Sequence, residues 1–110
     1  MPAKETGDIV VLVTTRGQQE AHEIARLLLD RRRAACVNIL AGVDSVFWWQ
    51  GHIDSTQESL MIIKSKASLL PEIVNLITGV HSYQVPEIVA IPIIGGNQDY
   101  LEWIDREVER

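Results

Sequence analysis

Three stretches of this chain carry apolar side chains too densely for strands that have one wet face. Ile9 to Val13, Leu60 to Ile63 and Ile88 to Ile94 hardly alternate apolar with polar residues, whereas a water-facing sheet face calls for a period of two. Phe47, Trp48 and Trp49 sharpen the conflict, because adjacent strand side chains point to opposite faces. In a regular strand Trp48 and Trp49 do not both lie beneath the same helices, so one of them covers something else. Closed self-association through sheet faces or edges is the simplest remedy, with Trp48 and Trp49 at the interface. A large ligand cavity is the competing remedy.

The remaining composition bounds the answer. At 110 residues, with 46% apolar and 23% charged, the chain suits a single globular domain over residues 1–110 with one core, its polar start Met1 to Gly7 frayed. A net charge of −5 argues against a broad nucleic-acid or anionic-membrane surface. Cys36 is the lone cysteine and fits a reducing compartment. No apolar run reaches the roughly 18 residues of a membrane span, and the opening MPAKETGDI has no signal-peptide core. The expectation is a soluble, cytoplasmic protein.

Periodicity orders the elements. Asp8 to Thr15 reads as a strand, and from Gln18 the positions Ala21, Ile24, Ala25 and Leu28 mark an amphipathic helix, with Gly17 at its start, Glu20 three residues on and Arg31, Arg32 and Arg33 in its last turn. A second strand runs from Ala35 to Leu40 and, past a break at Gly42, from Val43 to Gln50. Gly51 to Gln57 reads as a turn with Asp54, Ser55 and Thr56 at its tip, and Ser59 to Lys64 as the third strand. Ser68 is the expected N-cap of a second helix with Pro71 in its first turn and Leu70, Ile73, Val74, Ile77 and Val80 as its stripe. Val85 to Ile94 is the fourth strand, an edge strand because Pro92 lacks a ladder donor. Asn97 then caps a short helix carrying Tyr100, Leu101, Ile104 and Val108. The order β-α-β-β-α-β plus a helix predicts an α+β, ferredoxin-like split βαβ sandwich: an antiparallel four-stranded sheet with two helices on one face.

Chemistry-bearing motifs are sparse. The phosphate loop G-x-x-x-x-G-K-[ST] and the nucleophile elbow G-x-S-x-G are absent, and Gly95-Gly96-Asn97 is a turn before it is an anion site. The Arg31 to Arg33 triplet is a solvated helix end before it is one. Metal ligation has candidates but no spacing signature: Cys36, His22, His52 and His81 show neither C-x-x-C nor H-x-x-x-H. His22 reads as solvated, His52 as surface decoration or a ligand, and Cys36 as a small buried hydrophobe or a soft donor. His81 stands out because His81 to Glu87 is polar and aromatic between two apolar elements. A Cys36–His81 pair would suit copper or zinc.

These stretches also carry a resemblance. Ala34-Ala35-Cys36-Val37-Asn38-Ile39, Trp48-Trp49-x-Gly51, Ile62-Ile63-Lys64, His81-Ser82-Tyr83-x-Val85-Pro86-Glu87-Ile88 and Asn97-x-x-Tyr100-Leu101-x-Trp103 occur in the order found in the CutA divalent-cation tolerance proteins, which the chain resembles from about Ile9 to Trp103. The resemblance implies a ferredoxin-like subunit, a tight homotrimer and a cytoplasmic protein linked to Cu²⁺ and other divalent cations. It also implies metal-binding positions at Cys36 and His81, and weaker cleft candidates at Glu58, Tyr83 and Glu87. The chain departs from the common pattern at Gln50 and Gln84, where carboxylates are usual, and at His52, where lysine is frequent. His52 then offers a nitrogen donor where oxygen donors are lost.

A trimeric metal-responsive binding protein with no enzymatic activity and no organic cofactor is the leading expectation, with divalent metal ions as partners and neither nucleic acid nor membrane. A small-molecule or nucleotide sensor similar in architecture to PII-type signalling proteins is the alternative, and a trimeric scaffold for a partner protein is the third.

Overall fold

The structure is a computed structural model that describes residues 6–108. Four strands, β1 (Asp8–Thr15), β2 (Cys36–Trp49), β3 (His52–Lys66) and β4 (Ile88–Pro92), form one antiparallel sheet in the order β2-β3-β1-β4. The helices are α1 (Gln18–Asp30), α2 (Leu70–Val80) and α3 (Gln98–Glu107). This is the ferredoxin-like arrangement, and β4, with Pro92, lies at the sheet edge as expected. Most of the expected frayed start lies outside the described residues; Thr6 hydrogen-bonds to the Ile93 carbonyl through its N–H and hydroxyl.

Burial alternates even where the sequence does not. Ile9, Val11 and Val13 of β1 and Met61 and Ile63 of β3 pack beneath Ala21, Ile24, Ala25 and Leu28 of α1 and Ile73 and Ile77 of α2. Their neighbours, among them Val10, Leu12 and Ile62, share the opposite face. There α3 crosses one end: burial and the neighbouring Cys36 thiol push the Tyr100 phenol up, and Lys66 Nζ lies 3.2 Å from Asp105 Oδ1. The rest of that face is bare, with Leu40, Val89 and Ile91 45%, 47% and 50% exposed.

Several local expectations are corrected. The β2–β3 turn is Gln50–Gly51, not Gly51 to Gln57. Both turn residues have positive φ, 50° and 86°, as a two-residue I′ turn demands, and Trp49 pairs with His52. Asp54, Ser55 and Thr56 therefore lie inside β3, opposite Phe47, Val46 and Ser45. Gly42, at φ 70°, does not end β2; it sits in a bulge between Leu40 and Val43. The arginine triplet follows α1 rather than completing it. Arg32 takes the left-handed position (φ 56°), and the N–H groups of Arg32 and Arg33 donate to the Leu29 and Leu28 carbonyls, which is the Schellman closure. Ser68 belongs to a 3-10 turn at Ala67–Leu69, leaving Leu69 at the N-cap of α2. β4 is shorter than Val85 to Ile94, and Val85 is 89% exposed.

The extra length of β2 and β3 makes an arm. Beyond the ends of β1, Val43 to Trp49 pairs only with His52 to Glu58. Seven residues at strand rise carry it about 24 Å outward. The Cα radius of gyration, 14.7 Å, exceeds the roughly 13 Å of a compact chain of this length.

Candidate functional site

A cleft of about 900 Å³ opens between one face of the arm and the segment that follows α2. β3 supplies Asp54, Thr56 and Glu58, spaced by two and so on one face. Phe47 and Trp49 come from β2, Thr14 from β1, and Tyr83, Gln84 and Glu87 from the 81–87 segment. The Tyr83 hydroxyl donates to Glu58 Oε2 at 2.7 Å, and Thr14 Oγ1 to Glu87 Oε1 at 3.4 Å. Burial, with the hydrogen bond to Glu58 and its charge, pushes the Tyr83 phenol up to about 12. Tyr83 is therefore a fixed donor across the neutral range, and Glu58, only 8% exposed, is held as its acceptor.

His81 anchors this segment. Its imidazole is fully buried; Nδ1 accepts from the Tyr83 N–H at 3.0 Å and Nε2 lies 2.9 Å from the Thr14 carbonyl. These partners assign the Nε2–H tautomer. On α1 beside it, burial pushes Glu20 up, but the Arg16 N–H and the Ser82 hydroxyl and N–H outweigh it and hold the carboxyl below its usual range. A buried histidine thus joins β1 to the cleft wall and aims Tyr83 at Glu58.

The cleft candidates Glu58, Tyr83 and Glu87 are brought together, while the metal candidates are not. Cys36 sits in register with Lys64 and Val10, and His81 bonds to Thr14. Four residues along β1 and two strands across, these sites lie about 13 Å apart in one direction and about 10 Å in the other. Cys36 neighbours Tyr100, and both ring nitrogens of His81 have partners. His52 is exposed at the arm tip, and His22 is exposed on α1. Among the described residues no group of three His, Cys, Asp or Glu side chains converges as a metal site, so the soft donors of a single subunit do not fit a cation by themselves. The two tryptophans point apart, as expected of neighbours: Trp49 lines the cleft, while Trp48, 73% exposed, pairs with Ile53 on the other face of the arm.

Two groups of residues escaped the sequence reading. Asp54 lines the cleft, and its spacing of four from Glu58 was a usable signal hidden by the turn-like composition around it. Asp8, Lys66 and Asp105 meet beneath α3, a contact that no local pattern reveals.

A regular ferredoxin-like sheet with an extended hairpin and an acidic, aromatic cleft defines a class of small α+β domain. The chain belongs to the CutA1 divalent ion tolerance protein family, whose profile matches residues 9–107. It is 42% identical over 95 residues to the divalent-cation tolerance protein CutA of Thermus thermophilus, covering 86% of this chain and 92% of that one. It is 43% identical over 96 residues to the chloroplastic protein CutA 1 of Oryza sativa, covering 87% of this chain and 54% of the rice protein. The chain thus spans about half the length of the plant relatives it matches. The solved structure of rice CutA1 superposes with a TM-score of 0.92 at 39% identity, covering 96% of both chains. A structure from Archaeoglobus fulgidus, described as a periplasmic divalent cation tolerance protein, superposes with a TM-score of 0.90 at 39% identity, over 93% of this chain and 99% of that one. No helix among the described residues is long and apolar enough to cross a membrane.

Proposed function

We propose that the chain serves divalent-cation tolerance as a homotrimer, capturing a cation such as Cu²⁺ weakly and reversibly near the clefts between subunits and catalysing no reaction. The observation that carries this reading is the uncovered apolar surface of one subunit: Leu40, Val89 and Ile91 on the sheet, and Val46, Trp48 and Ile53 on the arm, the last three more than 60% exposed. Apolar area of this extent is what association removes from water. Cys36 near the uncovered face and His52 at the arm tip are the soft donors that a neighbouring subunit can complete; His81 joins them only by giving up its bonds to Thr14 and Tyr83. The lone thiol favours a cytoplasmic setting.

Calorimetric titration with Cu²⁺ tests the donors. The reading expects saturable binding that weakens about tenfold or more in Cys36→Ala. Undiminished binding in a variant lacking Cys36, His52 and His81 together would overturn the assignment. A nucleotide sensor finds support in the size of the cleft, but the lining opposes it. Asp54, Glu58 and Glu87 face that space and no Lys or Arg lines it among the described residues, so phosphates are repelled. Titrating adenine nucleotides separately discriminates the two readings.

A further inference from the structure

The cleft has a chemical bias that a bare metal ion leaves unused. Glu58 is more than nine-tenths buried. Its Oε2 takes the Tyr83 hydroxyl, while its Oε1 takes no hydrogen bond from any described residue. Glu58 lines the cleft, and an acceptor oxygen without a donor at the cleft wall suits a cationic partner. Glu87 and Asp54 add two more carboxylates at the walls of the same space. The rings of Phe47, Trp49 and Tyr83 also line it, and aromatic faces attract organic cations. A volume of about 900 Å³ lies in the range of small organic ligands and far exceeds what one ion needs. Asp54 and Glu58 share a face of β3 four residues apart, about 13 Å at strand rise.

We propose that this cleft binds a linear aliphatic polyamine, its terminal ammonium groups reaching Asp54 and Glu58 and its chain lying against Phe47, Trp49 and Tyr83. Glu87, on the opposite wall, pairs with an internal ammonium. Each ammonium replaces hydration water with a carboxylate or a ring face, and the methylenes bury against the aromatic side chains. All the named contacts come from one chain, and none of them involves the donors Cys36 and His52.

Calorimetric titration of the full chain with spermidine, with tryptophan fluorescence followed in parallel, tests the site. The expected result is saturable binding of one molecule per chain, weakened about tenfold in Glu58→Gln and about threefold in Asp54→Asn or Glu87→Gln. The last two side chains are exposed, so those variants keep the fold and the test stands on them alone. Putrescine, too short to span Asp54 and Glu58, is expected to bind more weakly than spermidine. Failure to saturate by about 1 mM spermidine, or binding equal to wild type in both Asp54→Asn and Glu87→Gln, would overturn the proposal. A Cu²⁺ titration of the same samples separates the two sites: Cu²⁺ binding without spermidine binding removes this one and leaves the cation reading intact, and the reverse removes only the other.

Discussion

Asp8 shows how a single buried carboxyl sets the response of the fold to pH. It is 2% exposed, and burial, the hydrogen bond with Asp105 and the charge of Asp105 push it up to about 6, against the pull of Lys66. A folded pKa above the ordinary 3.8 means that the folded state holds this proton more tightly. The stability it contributes is complete below about pH 4 and is lost as the pH rises through about 6. We expect urea unfolding to show roughly 1–3 kcal/mol lost across this window on account of Asp8, and Asp8→Asn to flatten that part of the profile. The same slope in both proteins would contradict this account. Glu20 works in the opposite sense: its lowered pKa adds stability above the ordinary 4.5, and that stability is lost as the pH falls through the folded value. His81 acts through packing and two hydrogen bonds, so His81→Ala is expected to cost about 2–4 kcal/mol, measured as a lower urea midpoint.

At the scale of elements, periodicity revealed the kind and order of every strand and helix, because burial on one helical stripe or two sheet faces leaves its period in the sequence. Turn positions were harder to read. Asp54-Ser55-Thr56 has the composition of a turn, yet these residues are polar because one face of the arm lines an open cleft and the other faces outward. The true turn was masked by Gln50, which occupies a left-handed position that asparagine or glycine usually fills. Gln50→Asn is therefore expected to raise stability by up to about 1 kcal/mol, seen as a higher melting temperature, with the β2–β3 register retained. A lower melting temperature would mean that the Gln50 side chain makes a contact worth more than the backbone cost. The final helix was found from its apolar stripe, but its crossing of the face opposite α1 and α2 was not, since Tyr100–Cys36 and Asp105–Lys66 join residues distant in sequence. The same holds for the cleft. Tyr83, Glu87 and Glu58 were legible as candidates, whereas the hydrogen bond that joins two of them depends on His81 being locked to Thr14.

For the whole molecule, the dense apolar strands now have a divided explanation. One face of each meets the two helices, α3 covers one end of the other face, and the remainder stays open together with the outer face of the arm. The chain carries a cleft as well as an uncovered surface. The cleft does not consume that surface: Val46 is the only one of the six exposed apolar residues named above that also lines it. The polar outward neighbours that a free sheet face requires are missing at Leu12, Leu40, Ile62, Val89 and Ile91, and the proposed self-association rests on this surface. Replacing Trp48 and Ile53 by glutamate together is expected to release subunits without unfolding them, because neither side chain enters the core. Sedimentation equilibrium at micromolar concentration tests the central claim most directly. The account predicts a single species of three times the 12.3 kDa of one chain, whereas a clean 12.3 kDa monomer would contradict it.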